Sequence, residues 1–173
     1  MKNLTKSEME AQAIAFFNMS PDAMQKLIEG YIAEQPVLIR AAYNFSEEYS
    51  SAQEAGKDYD FNDDEVQFAT DMLVFLVYAL LPKEKKVKKI TEKMLENYQV
   101  GAMEMVKSLG DDSGLSEKEQ DQKIENYAQS TLLRFLFAEI CGAYEEEKIR
   151  EELFDELLFY AFLIMDCLTG ELA

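Results

Sequence analysis

The sequence predicts an all-α fold: a single-domain antiparallel helical bundle of six or seven helices over residues 1–173, divisible into sub-bundles at 1–56 and 62–170. Three observations predict it. Only 7 Gly and 3 Pro punctuate the chain, too few for a β-rich or loop-rich fold. Helix-opening patterns stand at Thr5, Ser20, Asn62 and Ser116. After most of them apolar residues recur by threes and fours, with no strand-like alternation.

Thr5 and Glu8 form a capping-box pattern that opens a first helix, ending near Asn18. Ser20 before Pro21 reads as an N-cap with proline at the first helical position, opening a second. Pro36 interrupts that helix, because proline removes a backbone donor. A third runs through Leu38, Ala42, Phe45 and Tyr49 and stops at Gly56. Asn62 with Glu65 caps a fourth, Asp63 to about Leu81, which is apolar on nearly every side after Met72 and is the expected central element. Pro82 ends it. The stripe Val87, Ile90, Met94, Tyr98, Ala102, Met105, Leu109 marks a fifth helix, and residues 110–115 (GDDSGL) a loop. Ser116 with Glu119 opens a sixth that runs to Tyr144, and a seventh begins between Glu145 and Lys148 and ends at Gly170.

The 173 residues contain 17 Lys and Arg against 34 Asp and Glu, a formal charge of −17, and no His. Without histidine there is no Ser-His-Asp or Cys-His catalysis and no His-ligated metal. Such a charge repels nucleic-acid phosphate and anionic lipid and favours basic proteins or cations. No nucleic acid, membrane or cofactor is therefore expected as a partner. The longest apolar run, Met72 to Leu81, has ten residues, where a membrane-spanning helix needs about 20. The first residues, MKNLTKSEMEAQ, lack the apolar stretch of a signal peptide. Cytoplasmic residence is the expectation. Cys141 and Cys167 both lie in apolar helical runs and are expected as reduced, buried thiols. Across a turn near Glu146 they stand far out of register, roughly 24 Å at the helical rise, so they are not expected to bond to each other.

Four groups of residues offer chemistry. Asp58, Asp60, Asp63, Asp64 and Glu65 place five carboxylates in eight positions. They could hold a hard cation, engage a basic partner, or simply complement the positive end of the fourth helix. The spacing is not an EF-hand loop, since no glycine stands at the sharp turn and Ala69 occupies the twelfth position. Lys83, Lys85, Lys86, Lys88, Lys89 and Lys93 concentrate six of the 17 cations in eleven positions. They read as contacts to an acidic partner, phosphate or a second copy, or as a solvated helix face. The 20 Phe and Tyr residues are many for one core, which makes a homodimer an expectation worth testing.

The fourth group is Glu139, Glu152, Asp155 and Glu156. Glu152-x-x-Asp155 followed by the apolar stretch ELLFYAFLIM resembles the second metal motif of the all-α nucleotide pyrophosphohydrolases, the MazG and dimeric dUTPase group. The resemblance covers about 30 residues and implies a Mg²⁺ site that positions a nucleoside triphosphate, with those four carboxylates as ligands. The chain departs from the pattern at Gly142, where the first motif would carry its second carboxylate, and in the short spacing between motifs.

The leading functional expectation is a non-enzymatic acidic helical protein that binds, and could inhibit or chaperone, a partner protein with a basic surface. The alternatives are the Mg²⁺-dependent pyrophosphohydrolase and a structural, oligomerising helical module.

Overall fold

The computed structural model describes residues 3–43, 62–81, 88–110 and 113–171. Among them the regular structure is entirely helical, in eight segments: α1 (Lys6–Phe17), α2 (Pro21–Glu34), α3 (36–43), α4 (Asp63–Leu80), α5 (Glu92–Leu109), α6 (Glu117–Asn126), α7 (Ser130–Glu145) and α8 (Glu151–Glu171).

The helix starts follow their capping chemistry. Thr5 N donates to Glu8 Oε2 at 2.8 Å, and Glu8 N donates back to Thr5 Oγ1 at 3.3 Å. Ser20 Oγ accepts from Ala23 N at 3.3 Å, with Pro21 at the first helical position. Asn62 N donates to Glu65 Oε2 at 2.9 Å, and Glu65 N returns a bond to Asn62 Oδ1 at 3.0 Å. At Ser116 both the backbone N–H and the hydroxyl donate to Glu119 Oε2, at 2.8 and 2.6 Å. Gln35 separates α2 from α3 with a non-helical backbone and is buried. Its side chain grips the segment before α5: Nε2 donates to Lys88 O at 3.0 Å, and Oε1 accepts from Ile90 N at 2.9 Å.

Three boundaries differ from the sequence reading. The expected fifth helix starts late, at Glu92, because Thr91 takes the N-cap position and accepts from Met94 N at 3.3 Å. Lys88 and Lys89 therefore precede the helix rather than open it. The expected sixth helix is two. Its polar half, α6, buries no residue, whereas α7 buries Leu132, Leu133, Leu136, Ile140 and Ala143. Only the second half has an apolar stripe to face the core, and the chain re-aims between them at extended Tyr127. The last turn begins later than expected. Glu147 adopts φ 57°, Glu147 N donates to Tyr144 O at 3.0 Å and Lys148 N to Ala143 O at 2.8 Å. This is a Schellman closure with glutamate where glycine is usual. The expected Phe45, Tyr49 and Gly56 of the third helix, and Pro82, lie outside the described residues.

α4 has the central position the sequence suggests: from Met72 to Leu81 no residue is more than 8% exposed. α8 shares that position, burying Leu153, Leu157, Leu158, the run Ala161–Met165, Cys167 and Leu168. Each fully buried Leu or Phe contributes about 1.5–3 kcal/mol relative to exposure. α8 makes its closest approaches to α5 and α4. At Gly170 an added Cβ would meet the Tyr98 ring of α5, 2.8 Å from Cζ, so the absence of a side chain permits that approach. α7 and α8 pair in opposite senses: Tyr127 meets Phe162 with ring centroids 5.4 Å apart, and Phe137 meets Phe154 at 6.2 Å. α1 lies over the far part of α4, with Phe16 5.5 Å from Phe75 and 5.4 Å from Tyr78.

Cys141 corrects one expectation. It is exposed, while Cys167 is buried, and both are free thiols. The stripe through Leu136 and Ile140 leaves Cys141 rotated about 100° toward solvent. Burial, then Glu171 and Asp166, push the Cys167 thiol up to about 12, which keeps it protonated.

Candidate functional site

Glu65 organises an acidic end of the molecule. It stands at the third position of α4 and is 2% exposed, so the carboxylate expected at the surface is in fact turned inward. Oε1 accepts from Arg150 N and Arg150 Nε, both at 3.0 Å, and Oε2 accepts from Arg150 Nη2 at 2.8 Å and from Asn62 N at 2.9 Å. Arg150 is thus bidentate, the geometry that suits a guanidinium and a carboxylate. Burial alone would raise the Glu65 carboxyl, but the bonds from Arg150 and Asn62 outweigh it and hold the group below its ordinary value.

The consequence is spatial. Glu65 belongs to the first turn of α4 and Arg150 to the α7–α8 turn, 85 positions later. Their contact places exposed Asp63 and Asp64 beside a turn that carries exposed Glu145, Glu146, Glu147 and Glu151, with Asp155 one turn into α8. Among the described residues two cations stand in this region, and both have carboxylate partners: Arg150 binds Glu65 and Lys148 binds Glu146. Next to it, Tyr43, Asp63, Val66, Gln67 and Thr70 line an open hollow of about 310 Å³. Burial and then Asp71 raise the Tyr43 phenol, so it stays protonated.

The other sequence candidates fall as follows. Asp58, Asp60, Lys83, Lys85 and Lys86 lie outside the described residues. Lys88 is committed internally, with Nζ 3.0 Å from Glu171 Oε2, and Lys89 is exposed. Of the proposed magnesium ligands, Glu139 and Asp155 are exposed on α7 and α8, and Glu156 is half-buried with an interaction of its own. The side chain of Glu152 is outside the description. Among the described residues no three carboxylates or thiols converge on a point that could hold a metal ion.

Two of the tertiary bonds that sequence reasoning missed involve carboxylates on the central helices. One is Glu65–Arg150, for which the Asn62–Glu65 box was a partial signal, since it turns that carboxylate back on the helix start. The other is Tyr127 Oη donating to Asp166 Oδ1, a contact between residues 39 positions apart for which no local pattern stands as a signal. No helix among the described residues is long and apolar enough to cross a membrane. Comparison with protein-family models, curated proteins and solved structures finds no match to this chain.

Proposed function

We propose that the protein is a non-enzymatic antiparallel helical bundle, resident in the cytoplasm, that binds a partner protein through its acidic end. The observation that carries this reading is the Glu65–Arg150 bond, which brings the first turn of α4, with Asp63 and Asp64, to the turn and helix start that carry Glu145, Glu146, Glu147, Glu151 and Asp155. A surface of this kind attracts Lys- and Arg-rich faces and accelerates encounter with them. The neighbouring hollow combines Val66 with the polar ends of Asp63, Gln67 and Thr70, which suits a long basic side chain with an apolar stem.

The test compares two quadruple charge-neutralised variants for binding of an oligo-arginine peptide by calorimetry at several salt concentrations. One carries Asp63→Asn, Asp64→Asn, Glu146→Gln and Glu151→Gln. The other removes the same number of charges elsewhere, at Asp22, Glu34, Glu104 and Glu117. The first is expected to weaken binding at least about tenfold more than the second and to flatten the salt dependence. Equal losses would show that only total charge matters, and the assignment to this end would fall.

A further inference from the structure

α6 is held to the body by few contacts. It buries no residue, and Ile124 is the apolar side chain of the helix that packs against the core. Its N-terminal half is tied by Gln120 Nε2, which donates to Leu109 O and Gly110 O at 3.3 Å and to Ser113 Oγ at 3.2 Å. An exposed pair joins Glu125 to Arg134 of α7 at 3.2 Å. At its C-terminal end the tie is of a different kind. Tyr127 sits at the joint with α7, packs edge-on against Phe162 and donates its hydroxyl to Asp166 Oδ1 of α8. Asp166 is half-buried, and its hydrogen-bond donor is this neutral phenol rather than a cation.

We propose that Tyr127 and Asp166 form a pH-sensitive latch that holds α6 and its joint on α8 under acidic conditions and loosens as the pH rises. A carboxylate removed from water without a cationic partner pays a desolvation cost, which opening of the joint relieves. The protonated acid has no such cost and still accepts the phenol hydrogen bond. The surroundings reinforce the sign. Besides Tyr127, the titratable groups that interact with Asp166 are Tyr98 of α5 and Cys167 of α8, both neutral, and the cation Lys88 is bound to Glu171. Burial raises the Asp166 carboxyl above its ordinary 3.8 in the closed state. Closure therefore takes up a proton: its advantage is complete below the open-state value and is lost as the pH rises through the closed-state value. Burial, then Asp166 itself, push the Tyr127 phenol far above its usual range, so it remains the donor throughout.

The experiment is amide hydrogen exchange of the full chain across residues 117–129, at about pH 3.5 and about pH 7, corrected for intrinsic rates. The wild type is expected to exchange about threefold or more slowly at the lower pH in this segment, relative to α4. Asp166→Asn keeps an acceptor without a charge and should exchange at the slow, acidic-pH level at both pH values. Tyr127→Phe removes the donor and should speed exchange at both. Equal corrected rates in the wild type at the two pH values would overturn the latch. So would an unchanged pH difference in Asp166→Asn, since the response would then belong to other carboxylates.

Discussion

Glu65 shows how one residue can have a local and a distant role at once. As the third residue of α4 it completes the cap with Asn62, and as a buried anion it binds Arg150. Removing one partner of such a pair leaves the other without its compensation. Arg150 is 45% exposed, so water can recover part of the loss. Glu65→Gln is expected to cost about 1–3 kcal/mol in urea unfolding at neutral pH, below the cost of breaking a fully buried pair. The pH dependence has a definite sign. Because the folded carboxyl is held low, its contribution is present above the unfolded carboxylate value and is lost as the pH falls through the folded value. The variant should therefore lose less stability than the wild type on acidification, which acid titration followed by circular dichroism will show. An identical acid limb would contradict the bond. The sequence indicated the cap half of this role from Asn62-x-x-Glu65. It held no signal for the Arg150 half, because a partner 85 positions away is chosen by packing.

At the scale of elements, Gly170 lets the Tyr98 ring of α5 lie directly against the backbone of α8. Glycine near a helix end is ordinarily a weakness, and Ala in its place gains about 1 kcal/mol at an exposed helical site. Here the added methyl would run into the Tyr98 ring, whose hydroxyl also donates to Glu171 Oε1 at 3.4 Å. Gly170→Ala is expected to destabilise by about 1–2 kcal/mol instead, and Tyr98→Ala in the same chain should restore the usual gain. Thermal unfolding of the four chains in the cycle checks this; stabilisation by Gly170→Ala alone would show that Tyr98 simply swings aside. Helix starts were the most legible elements, because capping is a contact within three residues. The division of the expected sixth helix into α6 and α7 was not legible. Ser116 opens a continuous helical pattern, and only a fixed core surface decides that Leu132 and Leu136 must point one way while Glu117–Asn126 points to water.

For the whole molecule the governing quantity is the charge of −17. Like charges at this density oppose the compact state, and salt screens them within roughly 8–10 Å at physiological strength. Midpoint temperature is therefore expected to rise by a few degrees between about 0.02 M and about 0.5 M sodium chloride. The surface ion pairs, such as Arg40–Glu92 at 2.8 Å, act in the other direction, but each contributes under about 1 kcal/mol. A midpoint that falls with salt would mean that these pairs outweigh the general repulsion. The same charge belongs to the proposed binding mode, which weakens as salt is added while the free protein becomes more stable. Tracking both in one buffer series separates the two effects.

Composition, capping and periodicity determine that this chain is helical, where the four capped helices α1, α2, α4 and α6 begin, and that Met72–Leu81 is buried, because each depends on residues within a few turns of one another. Tertiary structure alone decides which carboxylates meet. It removes Glu65 from the acidic surface and binds it to Arg150. It joins Tyr127 to Asp166 and exposes Cys141 while burying Cys167. The physical reason is that a side chain's direction around a helix is set by the helical period, but what it meets there is set by packing of distant apolar stripes. That packing is cooperative and has no signature in any single stretch of sequence.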